Sequence, residues 1–329
     1  MQFEFPAWDP VLFDIPGLPV DIRWYGVMYI VGFFVAQWIL VRLARAKFLP
    51  VAPEVAPDLI FYCVIGVMLG GRCGYALFYQ HELLNPLEFV KVWKGGLAFH
   101  GGLAGVAVAC WLFVRRHKVG WGRVADACAL AVTPGIFAVR MANFINGELF
   151  GRITSAATWG AMQFPTDPVA KEAMHIPEVD MRPTELCIQL AYHKRSWESI
   201  RPDLPSTDLG GAPIDWDKVR PYLDWEKVRS VVPFRHPSQV YEGLCEGVLI
   251  GLLLFVLYRL SRNQPWRPGR YTVVFLFAYA VARSSLELVR QPDPWLGPDV
   301  LWGLTMGQLL SGLMVVGAFL MLWSQRRRA

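Results

Sequence analysis

The chain has 329 residues, of which 54% are hydrophobic and only 18% charged, with fourteen Trp. Soluble domains carry about a quarter charged residues, so the membrane class is favoured over an ordinary soluble fold. The net charge of +5 traces to basic loops between apolar runs, and no nucleic-acid partner is expected from it.

Apolar runs of roughly 20 residues, enough for a helix to cross hydrocarbon, recur along the chain. They lie near 25–41, 58–79, 97–114, 124–142, 240–258, 271–290 and 303–324. Seven spans are therefore expected, the fourth interrupted by Asp126 and Pro134. Basic residues fall in clusters after span one (Arg42, Arg45, Lys47), span three (Arg115, Arg116, Lys118, Arg123) and span five (Arg259, Arg262, Arg267, Arg270), and at the end (Arg326, Arg327, Arg328). The short loops of the opposite side carry only Arg23, Lys91, Lys94 and Arg290. The positive-inside rule puts the N-terminus outside and the C-terminus inside. The opening "MQFEFPAWDP" is acidic and aromatic rather than basic, so span one is expected to direct its own insertion and stay.

Three regions follow: 1–151 with spans one to four and a polar loop, 152–236 as a small head on the outer face, and 237–329 with spans five to seven. The head is denser in Pro and charge than the regions beside it, with 9 of the 24 Pro and 23 of the 59 charged residues, and "PIDWDKVRPYLDWEKVRS" reads as one or two short helices. The six Cys have no C-x-x-C spacing and mostly fall in spans, where a free thiol behaves as a small hydrophobe. No metal site is expected.

Charged groups inside spans cost about 2.5–3.5 kcal/mol each on insertion scales and are functional candidates for that reason. In span six, Tyr279, Arg283 and Glu287 are spaced i, i+4, i+8 and share one helical face. The bland alternative is a self-neutralising Arg283–Glu287 pair, but that leaves most of the guanidinium donors unused. In span three, His100 lies among Gly95, Gly96, Gly101, Gly102 and Gly105, a setting that lets a helix or a ligand approach bare backbone. Tyr25 reads first as an interfacial aromatic. Arg72, flanked by glycines, reads as a lipid-phosphate or interhelical contact.

The stretch "VRMANFINGELFGR" (139–152) follows span four and carries Arg140, Asn143, Asn146, Glu148 and Arg152 around an Asn-Gly turn signal. Irregular backbone at membrane depth requires protein or a wet cavity around it. Arg140 and Arg283 are then two fixed cations near the outer ends of their spans, and guanidinium forks match phosphate oxygens. The residues themselves point to an anionic lipid site.

The strings "WYGVMYIVGF", "LGGRCGYALFY", "FHGGLAG", "RMANFINGELFGR", "RHPSQVYEGLCEG", "RSSLELVRQPD" and "MGQLLS", in this order, resemble the prolipoprotein diacylglyceryl transferases nearly end to end. One departure is local: where the family often reads G-R-x-G-N-F-I-N-G-E, this chain has Met141 and Ala142 before Asn143 and Val139 before Arg140.

The resemblance implies an all-α integral membrane protein of the bacterial inner membrane, with about seven transmembrane helices, a periplasmic N-terminus and head, and a cytoplasmic C-terminus. It implies transfer of the diacylglyceryl group of phosphatidylglycerol to the lipobox cysteine of preprolipoprotein signal peptides, releasing glycerol phosphate. No cofactor is expected. His100, Arg140, Arg283 and Glu287 are the catalytic candidates. Tyr25, Asn143, Asn146, Glu148, Gly151 and Tyr279 join Arg140 and Arg283 as substrate-binding candidates. A transporter, or a catalytically dead receptor for signal peptides, is the competing class of reading.

Overall fold

The computed structural model describes residues 3–6, 8–14, 21–78, 80–91, 96, 98–174, 206–207, 212–215, 218, 225–264, 266–291 and 304–327. About half of the proposed head, including residues 175–205 and residues 216, 217 and 219–224 of "PIDWDKVRPYLDWEKVRS", lies outside them, and one turn of helix is present at Trp225–Val228.

Long helices coincide with all seven runs read from the sequence: α1 Trp24–Arg45, α2 Ala56–Phe78, α3 Phe99–His117, α4 Trp121–Ile145, α5 Ser238–Leu260, α6 Arg270–Leu286 and α7 Met306–Arg327. Five of these, α1, α2, α4, α5 and α7, are long and apolar enough to cross a membrane. In α6 the helix has only 17 residues, and α3 carries glycines at one end and Arg115, Arg116 and His117 at the other. A short antiparallel pair, β1 Val11–Asp14 and β2 Asp21–Arg23, precedes α1. The helices bare large apolar side chains such as Phe34, Phe61, Leu252 and Phe319. Surfaces of this kind are stable against lipid and a liability in water.

The chain divides into two compact units: residues 1–31, 136–248 and 280–312, and residues 32–135, 249–279 and 313–329. In the second unit α2 and α3 pack through glycine. A Cβ on Gly70 would sit 2.3 Å from the Gly101 carbonyl oxygen, and one on Gly105 only 1.9 Å from that of Gly66. Close backbone approach through small residues is how membrane helices gain dispersion contact. The glycines after His100 are thus largely taken up by α2. The Sγ atoms of Cys63 and Cys128 each lie 4.0 Å from that of Cys110, inside an apolar cluster with Leu40, Leu59 and Phe113. The thiols there fill space between α2, α3 and α4.

The polar break in span four has a structural purpose. Asp126 is buried and accepts from the Gly269 amide at 2.7 Å, the Thr272 amide at 2.8 Å and the Thr272 hydroxyl at 2.9 Å. It therefore caps the start of α6 from another helix, meeting amides that have no partner within their own helix. Pro134 sits within α4 without ending it. Arg72 does not face a lipid phosphate: it is 1% exposed and donates to the carbonyls of Glu88, Phe89, Lys91 and Gly96. It ties down residues 88–91 and Gly96.

Candidate functional site

The site is assembled within the first unit, on α4, α5 and α6 and the segments that follow α4 and α6. The turn after α4 comes first. Asn146 donates its amide to Ala142 and Gly147 to Phe144, and Glu148 returns to the Asn143 carbonyl at 3.0 Å. The reversal needs left-handed backbone at Gly147 (φ 62) and Leu149 (φ 57), a conformation that costs a Cβ-bearing residue about 1–2 kcal/mol. It is held from below by aromatic rings: Phe5 packs on Phe144 and Phe164, and Phe150 stacks on Phe164 at 5.0 Å. From the side, Gln239 donates to the Glu148 carbonyl at 2.6 Å and Ser238 to that of Leu149 at 2.9 Å.

Within this frame Asn143 and Asn146 both donate side-chain amides to Glu148 Oε1, at 2.9 and 3.3 Å. The Tyr25 hydroxyl lies beside the Asn143 side chain. The four residues taken as substrate-binding candidates around the turn are therefore one network. Gly151 serves close approach rather than the turn itself. Its amide donates to the His236 carbonyl at 2.7 Å, and a Cβ there would sit 2.4 Å from the Val289 carbonyl oxygen. Arg152 binds the same strip, amide to Val289 and Nε to the Arg290 carbonyl at 2.9 Å. Arg235 lies over the Phe150 ring and pairs with buried Asp167, which stiffens the far side of the loop.

The loop is thereby stitched to the end of α6, where the charged groups gather. Arg140 Nη2 is 2.8 Å from Glu242 Oε2, and Arg283 Nη1 is 3.2 Å from the same oxygen. Both arginines also reach Glu246, at 3.8 and 3.6 Å. Arg283 Nη2 meets Glu287 Oε1 at 2.9 Å, the i,i+4 pair expected from the sequence. Arg290 closes the group at 3.6 Å from Glu242 and 3.5 Å from Glu287. The three carboxylates are at most 4% exposed, while the arginine side chains keep 12–19%. Carboxylates sit beneath and guanidinium edges stay reachable. Such an arrangement holds two guanidinium forks at fixed spacing, a geometry that can pair with the oxygens of an anion.

Gly307, at the start of α7, is packed on this group: a Cβ would fall 2.2 Å from Glu287 Oε1. The middle of α5, Gly243–Leu249, is π-helical, a distortion frequent at functional sites, and it carries Glu246.

The structure thus brings together Arg140, Arg283 and Glu287, and separately links Tyr25, Asn143, Asn146 and Glu148. Tyr279 lies one turn before Arg283 on α6 and packs against Phe275. His100 lies in the first turn of α3, in the second unit, and its side chain is outside the described residues. Sequence reading gave no role to Glu242, Glu246, Arg290 or Gly307. The signal was present for two of them: Glu242 and Glu246 are i,i+4 carboxylates inside an apolar span, subject to the same rule that picked out the arginines.

A family model described as prolipoprotein diacylglyceryl transferase matches residues 10–324. The chain is similar to the phosphatidylglycerol–prolipoprotein diacylglyceryl transferase of Erwinia tasmaniensis, at 37% identity over 327 residues, 98% of this chain and 94% of that protein. The protein of the same description from Yersinia enterocolitica is 38% identical over 99% of this chain and 96% of its own. That of Burkholderia lata is 37% identical over 98% and 97%.

Proposed function

The chain belongs to the prolipoprotein diacylglyceryl transferase family, and from that membership we propose that it moves the diacylglyceryl group of phosphatidylglycerol onto the lipobox cysteine of a preprolipoprotein. The observation that carries the reading is the convergence of Arg140 and Arg283, from two helices, on one carboxylate oxygen. Two guanidiniums held that close can share the oxygens of a single phosphodiester.

In the reaction, sulfur attacks the glyceryl carbon that bears the phosphate. A C–S bond forms, the C–O bond breaks, and its electron pair leaves with glycerol phosphate. The leaving group gains charge as it departs, and preorganised cations stabilise it more than they stabilise the bound lipid. Arg140 and Arg283 take this role, with Glu242, Glu246 and Glu287 fixing their geometry. Tyr25, Asn143, Asn146 and Glu148 order the headgroup's glycerol, and Gly151 keeps the loop against α6. Tyr279 presents its hydroxyl on the Arg283 face of α6. Thiolate is the competent nucleophile, and His100 takes the thiol proton, as a neutral imidazole can near pH 7.

The seven helices are read as seven spans of the bacterial inner membrane, with the arginine cluster on the periplasmic side and residues 152–236 as a periplasmic head. The supporting feature is the distribution of Lys and Arg over the connecting segments.

The test is release of glycerol phosphate from phosphatidylglycerol by purified protein with a lipobox peptide. Release coupled to peptide lipidation is expected. Lipid movement or peptide binding without release contradicts the reading.

A further inference from the structure

The second unit contains a cavity of about 160 Å³ between the end of α1, the start of α4 and the α5–α6 connection. It has no part in the reaction just described. Its walls include Lys47, Arg123 and Arg262, with Phe48, Tyr258 and Tyr271 as aromatic sides. Its volume is that of about five waters, below the roughly 300–1,000 Å³ of pockets for drug-sized ligands, and suits a small polar group.

Three features make this cavity anion-selective. First, Arg123 is pinned but incompletely used. Its Nη2 donates to the Trp266 carbonyl at 2.9 Å and its guanidinium lies 5.0 Å over the Phe48 ring, yet Nη1 is buried with no hydrogen-bond partner. A buried donor left unsatisfied costs about 1–3 kcal/mol, a cost that a bound acceptor removes. Second, the acid near Arg123 is Asp126, and its two oxygens are already engaged by Gly269 and Thr272. Third, Lys47 and Arg262 stand exposed at the rim and make no ion pair among the described residues.

Lys47 adds an independent sign. It ends α1 in left-handed backbone (φ 56), with its amide on the Ala44 carbonyl and that of Phe48 on Leu43. Glycine is the usual residue at such a helix end. A lysine there accepts strain and delivers a cation to the cavity mouth.

We infer that this cavity binds a phosphate group, as carried by an anionic phospholipid headgroup or by a soluble phosphate, at the face of the chain that bears the basic loops. Basic pockets between membrane helices on the cytoplasmic side are a recognised setting for anionic lipid headgroups.

The test is thermal unfolding of the full chain in neutral detergent as phosphatidic acid is added; this lipid is not the proposed donor. The wild type gains melting temperature, with an apparent affinity that falls as salt rises. Lys47→Gly/Arg262→Gln weakens that affinity by about 30-fold, the effect of two surface cations, while glycerol phosphate release is unchanged. Lys47→Gly alone suits the backbone, keeps the lipid-free melting temperature or raises it, and weakens binding by about five-fold. Arg283→Lys, at the other site, leaves the affinity as it is. Millimolar inorganic phosphate separates the sources: a shift without lipid assigns a soluble phosphate, and a shift with lipid alone assigns a headgroup. Equal affinity in wild type and both Lys47 variants, or no shift with either probe, overturns the inference.

Discussion

Arg140 and Arg283 share a single oxygen: Glu242 Oε2 lies 2.8 Å from one guanidinium and 3.2 Å from the other. Residues 143 positions apart are held as one cationic unit by a carboxylate that is 1% exposed. The three buried acids fix the orientation of the guanidinium groups, whose side chains keep 12–19% exposure.

Arg283→Lys keeps the charge and loses the fork. One ammonium cannot meet Glu242, Glu246 and Glu287 from three directions and still present two donors to phosphate. Glycerol phosphate release is expected to fall about 100-fold or more in kcat/KM, equivalent to about 3 kcal/mol of transition-state stabilisation. A variant within a few-fold of wild type marks Arg283 as a plain charge-balancing partner.

Glu242→Gln removes the anion between the arginines and leaves buried positive charge under-compensated. Breaking a buried pair in this way costs about 3–5 kcal/mol, so thermal unfolding in detergent shifts down and turnover falls with it. Glu242→Asp, which keeps the charge, restores part of both. Unchanged unfolding and turnover in the Gln variant would show that the cluster does not depend on this residue.

Gly307→Ala places a methyl group where Glu287 Oε1 now lies, at 2.2 Å. The carboxylate is held by Arg283 at 2.9 Å, so it moves only by dragging the guanidinium with it. A misplacement of about 1 Å costs up to about 100-fold in rate, and kcat is expected to drop while the protein still folds. A wild-type kcat would mean that Glu287 yields without moving Arg283.

His236, just before α5, is partly buried, and desolvation holds its imidazole below its ordinary pKa. The folded state therefore favours the neutral form, and the unfolded chain binds the proton more readily. Stability from this residue is complete above its usual pKa of about 6.5 and is lost as pH falls through the lower folded value. His236→Gln should flatten the acid side of the stability–pH profile. An unchanged acid limb would show that other groups set it.

Much of this architecture is legible in the sequence because it rests on local pattern. Apolar run length finds the helices, and the cost of intramembrane charge finds Arg140 and Arg283. The Asn-Gly signal marks the turn, whose left-handed residues are Gly147 and Leu149. Contacts between distant segments are not legible in this way. Nothing local to Glu242 reveals that it lies between two arginines, and nothing local to Gly307 shows a carboxylate against it. Arg72 illustrates the converse: by composition it matches Arg283, but four backbone carbonyls consume it. The glycines beside His100 leave room for a ligand on paper, and α2 fills much of that room.

The most direct measurement of the shared clamp is a double-mutant cycle on kcat/KM for glycerol phosphate release, using Arg140→Lys, Arg283→Lys and the pair. If the two guanidiniums grip one phosphodiester, the second substitution costs far less than it does alone, and the coupling exceeds about 1 kcal/mol. Costs that add to within about 0.5 kcal/mol would mean that the two arginines act at separate places, and the account would be contradicted.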